Sequence, residues 1–209
     1  MGVLLMSNLP KELRFYYGVV GSSKTANALM TRYNYQEKGY SVLLMKPSVD
    51  TRDGYNIVKS RIGLEAEAVI VEPGQSLIAY FEHHSLPDVI IADEAQFFTA
   101  QQVEEFKDIS ARIPVYCYGL KVDFRTQLFE GSRRLLELAD TCIEIEALCR
   151  CGNKATVNAR FDSAGNIIRE GSQILLGGND TYLAMCYHCW KRVNNVHEKE
   201  ESQIVHAVK

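Results

Sequence analysis

Gly18-Val19-Val20-Gly21-Ser22-Ser23-Lys24-Thr25 constrains this chain more than any other segment. It follows a strand-like run, Leu13 to Tyr17, and opens a helical pattern from Lys24 to Lys38. A glycine-bearing turn between strand and helix gathers backbone N–H groups and a helix N-terminus around one point, which makes an anion cradle. In such a loop the lysine reaches the terminal phosphates and the following hydroxyl, here Thr25, serves a Mg²⁺ ion. One position departs from the pattern. Ser23 stands where glycine normally precedes the lysine, and a left-handed backbone costs a non-glycine residue about 1–2 kcal/mol. The same eight residues also suit an ordinary strand-to-helix turn, so the decision falls to the rest of the chain.

The second informative segment is Val89-Ile90-Ile91-Ala92-Asp93-Glu94-Ala95-Gln96, an apolar strand ending in two acids. A carboxylate at such a strand end holds Mg²⁺ or its waters, although strand ends also finish in Asp for solvation alone. Glu94 adds a group able to activate water or to take a proton from an acceptor hydroxyl. Short apolar runs recur at Ser41 to Met45, Ala68 to Val71, Val115 to Tyr118 and Cys142 to Ile145, with helix-length segments among them. Nearly continuous apolar strands alternating with helices predict an α/β core with a mainly parallel sheet covered on both faces. Ser48 to Gly63 reads as a long polar connection with a turn at Asp53-Gly54, the form of a lid or binding loop.

Composition narrows the partners. The 209 residues carry a net charge of −3 and are 46% hydrophobic, enough to bury a substantial core. This balance offers no general attraction to nucleic acid, and no apolar stretch is long enough to cross a membrane. The apolar start, Met1 to Pro10, lacks a basic leader and a cleavage site, so a cytoplasmic protein is expected.

Four of the six cysteines fall in two close pairs, Cys149-Arg150-Cys151 and Cys186-Tyr187-His188-Cys189. Four thiolates make a closed, structural Zn²⁺ site. The one-residue spacer of the first pair is tight, which leaves His188 open as an alternative ligand, and metal-free buried cysteines are a further alternative. Cys117 and Cys142 lie in strand-like runs and are expected in the core. The expected organisation is a nucleotide-binding core over residues 1–147, a small zinc module over 148–193 and a tail over 194–209. A zinc ribbon acting on nucleic acid beside an ATPase is the rival. Residues 148–193 hold six Lys/Arg against three Asp/Glu, a surplus that Zn²⁺ on four thiolates cuts to about +1, so no basic stripe supports it.

Phe15-Tyr16-Tyr17-Gly18 through Thr25, Arg32-Tyr33-Asn34-Tyr35, Asp50-Thr51-Arg52, Ser60-Arg61-Ile62-Gly63, Asp93-Glu94-Ala95-Gln96-Phe97-Phe98 and Gly177-Gly178-Asn179-Asp180 with Tyr182 together resemble the cytosolic and bacterial (type II) thymidine kinases. The resemblance runs from about Leu13 to Arg192. It implies a RecA-like P-loop core with a zinc-binding lasso, usually in a homotetramer, and transfer of the ATP γ-phosphate to the 5′-hydroxyl of thymidine, with dTTP as feedback ligand. By this resemblance Glu94 is the general base. Gly18, Val19, Val20, Gly21, Ser22, Ser23, Lys24, Thr25, Arg52 and the segment Asp93, Glu94, Ala95, Gln96 form the ATP side, and Thr25 and Asp93 hold Mg²⁺. Phe97, Leu120, Phe124, Phe129 and Tyr182, with the backbone of Leu175, Leu176, Gly177 and Gly178, surround the nucleoside, and Val20 faces the thymine methyl. Cys149, Cys151, Cys186 and Cys189 hold zinc. Ser23 keeps open a family member that binds nucleotide with weak or no turnover.

Overall fold

A computed structural model of the chain describes residues 9–51, 54–173 and 181–194. Its main sheet is built from β1 (Leu13–Gly18), β2 (Val42–Pro47), β5 (Val69–Val71), β6 (Val89–Ala92), β7 (Val115–Leu120) and β8 (Thr141–Glu144). The strand order is β5-β2-β6-β7-β1-β8, and every neighbouring pair is parallel. This is the mainly parallel P-loop core expected from the sequence. β7 lies between β1 and β6, so the two strands that carry the candidate nucleotide motifs are separated by one strand.

The apolar runs of the inner strands are continuous because those strands are covered on both sides. Successive side chains of a strand point to opposite faces, and Val89-Ile90-Ile91-Ala92 divides accordingly. Ile90 and Ala92 join one core with Leu13, Phe15, Val115, Cys117, Phe106 and Leu135. Val89 and Ile91 join another with Ala28, Leu29, Leu44, Tyr116 and Tyr118. Helix α1 (Lys24–Gln36) supplies Ala28 and Leu29 to the second core. Helices α2 (Leu77–His83), α3 (Ala100–Ser110) and α4 (Glu130–Leu138) supply Leu77, Phe106 and Leu135 to the first. Tyrosines finish the α1 side: Tyr16 stacks on Tyr118 with ring centroids 4.6 Å apart, and the hydroxyls of Tyr35 and Tyr116 hydrogen-bond at 2.8 Å.

Two features differ from the sequence expectation. The polar connection from Ser48 to Gly63 contains β3 (Ile57–Lys59), which pairs antiparallel with β4 (Glu65–Glu67). The hairpin escapes a pattern reading because its strands are only three residues long, one of them Glu65-Ala66-Glu67, and Val58 is the one fully buried apolar side chain they carry, beside a Lys59–Glu65 ion pair. Cys142 is exposed and not part of the core, whereas Cys117 is buried as expected. Among the described residues β8 is an edge strand paired with β1 alone, and its side chains lack cover that the inner strands have.

Beyond β8 the chain leaves the main sheet. β9 (Val157–Phe161) and β10 (Thr181–Met185) form a separate antiparallel pair. After β9 the chain turns at residues 162–166, with Gly165 at φ 84 and the Asp162 carboxylate accepting from the N–H groups of Ala164 and Asn166. A small apolar cluster of Val19, Cys149, Ala155 and Cys186 joins this pair to the loop after β1.

Candidate active site

The loop between β1 and α1 is shaped by close approach. A side chain on Gly18 would come within 2.4 Å of the Ile145 carbonyl oxygen and of Ser22 Oγ, so only glycine fits. Ser23 adopts φ 62 and ψ 24, the left-handed conformation glycine would take without strain, and it makes no side-chain cap to α1. Lys24 is buried, and its ammonium donates to the Val19 carbonyl at 2.7 Å and to Ser22 Oγ at 3.3 Å, folding back across the cradle. The Thr25 hydroxyl bonds the Asp93 carboxyl at the end of β6.

Asp93 is nearly inaccessible to solvent, and its backbone N–H donates to the Met45 carbonyl at 2.9 Å. Burial, reinforced by the neighbouring Glu94 charge, pushes its carboxyl up to about 7. Such a carboxyl is only partly ionised near neutrality. Glu94 follows at φ 48, an uncommon backbone for a non-glycine residue, which turns it away from the strand line. The Gln96 side-chain amide, itself buried, donates to the Glu94 carboxylate and accepts from the Leu120 N–H at 2.9 Å. The carboxylate is thereby tied to the end of β7.

These groups share one cavity of about 540 Å³, lined by Lys24, Thr25, Asp50, Arg61, Asp93 and Glu94 among others, with Leu120 on its wall. Two residues given no role from sequence belong to it or support it. Arg61, at the tip of the β3–β4 hairpin, reaches over the loop; its Nη1 lies 3.4 Å from where a Gly21 side chain would start. Lys46, fully buried in β2, donates to the carbonyls of Gly54 at 3.1 Å and Ile57 at 2.8 Å and pairs with Asp50 at 3.6 Å, anchoring the hairpin connection. The Ser60-Arg61-Ile62-Gly63 run and a lone lysine in an apolar strand were the available signals. Arg52, Leu175, Leu176, Gly177 and Gly178 lie outside the described residues.

Among the residues expected around a nucleoside, Phe97 and Phe129 meet edge to face at 5.6 Å. Phe129 caps α4 at its N-terminus, while Phe124 is buried in the turn closed by the Val122–Leu128 bridge. The Arg160 guanidinium of β9 lies 5.0 Å from the Phe124 ring centre and 5.9 Å from that of Tyr182, so it stands between the turn after β7 and the tyrosine of β10. Tyr182 also lines a cavity of about 580 Å³ together with Ser22, Ser23 and Arg61.

The four paired cysteines converge. Their sulfurs all lie within 4.8 Å of one another, and Cys151 Sγ is 3.6 Å from Cys186 Sγ. Zn–S bonds of about 2.3 Å in a tetrahedron put sulfurs about 3.8 Å apart, so the donor set fits zinc. The one-residue spacer is accommodated by a tight turn with Gly152 at φ 86, whose N–H donates to the Cys149 carbonyl at 2.9 Å. Backbone N–H groups of Cys151 and Cys186 hold the Cys149 thiol down to about 6, favouring the thiolate a metal needs. His188 is not in the cluster, and its ring faces Tyr187.

No helix among the described residues is long and apolar enough to cross a membrane. A family model described as thymidine kinase matches residues 11–190. A thymidine kinase of Legionella pneumophila (strain Lens) is 41% identical over 187 residues, covering 87% of this chain and 90% of the relative. One of Zymomonas mobilis is 41% identical over 200 residues, covering 88% and 99%, and one of Yersinia pestis is 38% identical over 185 residues, covering 86% and 94%. With a matching P-loop core and a matched span that includes the cradle, the acidic strand end and all four cysteines, the chain belongs to the thymidine kinase family.

Proposed function

We propose that this thymidine kinase uses Glu94 as the base that accepts the proton of the thymidine 5′-hydroxyl, with Lys24 and Arg61 on the phosphates of ATP. The observation that carries the reading is the shared cavity in which Lys24, the Thr25–Asp93 pair and Glu94 face one space. In the reaction the 5′-oxygen bonds the γ-phosphorus, the bond from that phosphorus to the bridging oxygen of ADP breaks, and the hydroxyl proton passes to the Glu94 carboxylate. Gln96 orients that carboxylate from behind. Lys24 exchanges its contacts with Val19 and Ser22 for phosphate oxygens, and Arg61 approaches the same charge from the hairpin. Thr25 and Asp93 suit Mg²⁺, which supplies charge neutralisation on the β- and γ-phosphates when bound. Phe97, Leu120, Phe124, Phe129 and Tyr182 form the nucleoside side. The four cysteines hold a structural zinc ion in a module that begins near Leu148. Homotetramer assembly and dTTP feedback accompany this reading through the family resemblance.

The test is thymidine-dependent formation of ADP and dTMP by the whole chain, titrated with Mg²⁺ across pH. A carboxyl raised to about 7 must lose its proton to take a cation. The Mg²⁺ requirement is therefore lowest above that value and rises up to about tenfold per pH unit below it. ATP turnover without thymidine dependence overturns the kinase reading. A Mg²⁺ requirement flat from pH 6 to pH 8 overturns the assignment to Asp93.

A second expectation concerns the strained loop. Ser23→Gly relieves a left-handed backbone worth about 1–2 kcal/mol, against roughly 0.5–1 kcal/mol of added chain entropy. The ATP KM is expected to stay level or fall, and the melting temperature not to drop. A clear rise in the ATP KM gives the Ser23 side chain a role of its own.

A further inference from the structure

Asn158 lies in β9, outside the main sheet, and is almost completely buried. Its Oδ1 accepts from the Val20 N–H at 2.7 Å, and its Nδ2 donates to the Val122 carbonyl at 2.7 Å. The orientation of the amide follows from its partners, because a backbone N–H only donates and a carbonyl only accepts. One side chain thus ties the phosphate loop to the segment that follows β7. Val19, the residue before, packs on Cys149, Ala155 and Cys186, and its carbonyl receives Lys24. Two consecutive loop residues are therefore seated on the cysteine-bearing module.

The loop needs such a restraint. Ser23 sits at φ 62, where its side chain disfavours the backbone, so the loop sequence alone does not prefer this shape. The Val20 N–H is occupied by Asn158, which sets the peptide plane at the start of the cradle and so the direction of the N–H groups after it. We propose that Asn158 is a positioning residue for the phosphate loop, holding from the second sheet the conformation that receives the ATP phosphates. The inference rests on the ATP reading of this loop. Because Val20 also stands where the family resemblance sets the thymine methyl, ATP binding is the step that depends most on Asn158, with a smaller effect on the nucleoside.

The test compares wild type with Asn158→Leu, which keeps the volume and removes both hydrogen bonds. Binding of a non-hydrolysable ATP analogue by calorimetry, KM for each substrate, kcat, zinc content and amide exchange at Val20 are measured on the full chain. The expected result is an analogue Kd and ATP KM raised on the order of tenfold, a clearly smaller rise in the thymidine KM, unchanged zinc, and faster exchange at Val20. An unchanged ATP KM overturns the inference, as does a rise confined to thymidine, which would set Asn158 against the nucleoside. Loss of both substrates together with zinc assigns Asn158 to holding the fold and equally overturns it. If the variant does not fold, ligand-free wild type decides: a Val20 amide that exchanges as fast as that of Gly21 refutes the clamp, and marked protection supports it. A wild type that binds no ATP analogue fails the ATP reading itself, whatever the variant does.

Discussion

Glu94→Gln lowers kcat by about 10²–10⁴-fold, the usual worth of a positioned base, with little change in the KM for ATP. The substitution is close to isosteric. The Gln96 amide donates to the Glu94 carboxylate, and a glutamine oxygen accepts that bond equally well, so the tie through Gln96 to Leu120 survives. What disappears is the capacity to take a proton. The backbone at φ 48 is retained as well, since both side chains meet the same strain there. Steady-state kinetics at saturating thymidine, with ATP varied, separates the outcomes. A fall in kcat alone marks a group acting in the transition state. A variant with full kcat removes Glu94 as base and leaves the cavity without an assigned proton acceptor, and an equal loss in ATP affinity moves Glu94 to the metal beside Asp93.

Removal of zinc has the second large effect. Metal analysis is expected to find about one zinc ion per chain, and a strong chelator, or Cys186→Ser, should lower the melting temperature by ten degrees or more. Small zinc modules draw about 10–16 kcal/mol from their metal, and this one has little else. Its apolar cluster consists of Val19, Cys149, Ala155 and Cys186 with a few partly buried neighbours, and two of those four residues are themselves ligands in the proposed site. Cys186 is buried with its sulfur 3.6 Å from Cys151 Sγ, so a serine there removes a central donor. The loss should spread. Because Val19 packs in this cluster, chelation is expected to weaken ATP binding along with stability. Metal-free protein that melts at the same temperature and binds ATP unchanged would remove zinc from both roles.

Much of the core was legible because its strands are buried on two faces. Val89-Ile90-Ile91-Ala92 matches its strand without an error at either end, since a run of apolar residues bounded by Asp88 and Asp93 leaves no other register. The helix after the phosphate loop was legible for a related reason: it begins at Lys24, where the anion motif requires an N-terminus. The β3–β4 hairpin was not, because its three-residue strands are too short to show a period and it is held from below by Lys46, whose partners are carbonyls eight and eleven residues away. A run of apolar residues also misled at Cys142. An edge strand can carry the same residues as an inner one, and only the strand order tells them apart.

The candidate site divides in the same way. Lys24, Thr25, Asp93, Glu94 and the cysteine pairs were legible because each occupies a local pattern in which the chemistry demands a residue type at a set spacing, and spacing survives in a one-dimensional string. Arg61 over Gly21, Gln96 behind Glu94, Asn158 on Val20 and Arg160 between Phe124 and Tyr182 are contacts between segments with no mutual spacing rule. Asn158 stands 138 residues from the N–H it holds. Residue type and local spacing therefore determine which chemistry this chain can carry. Which side chains orient that chemistry was decided only when the sheets packed, because buried hydrogen bonds and stacked rings depend on distance in space and not on separation along the chain.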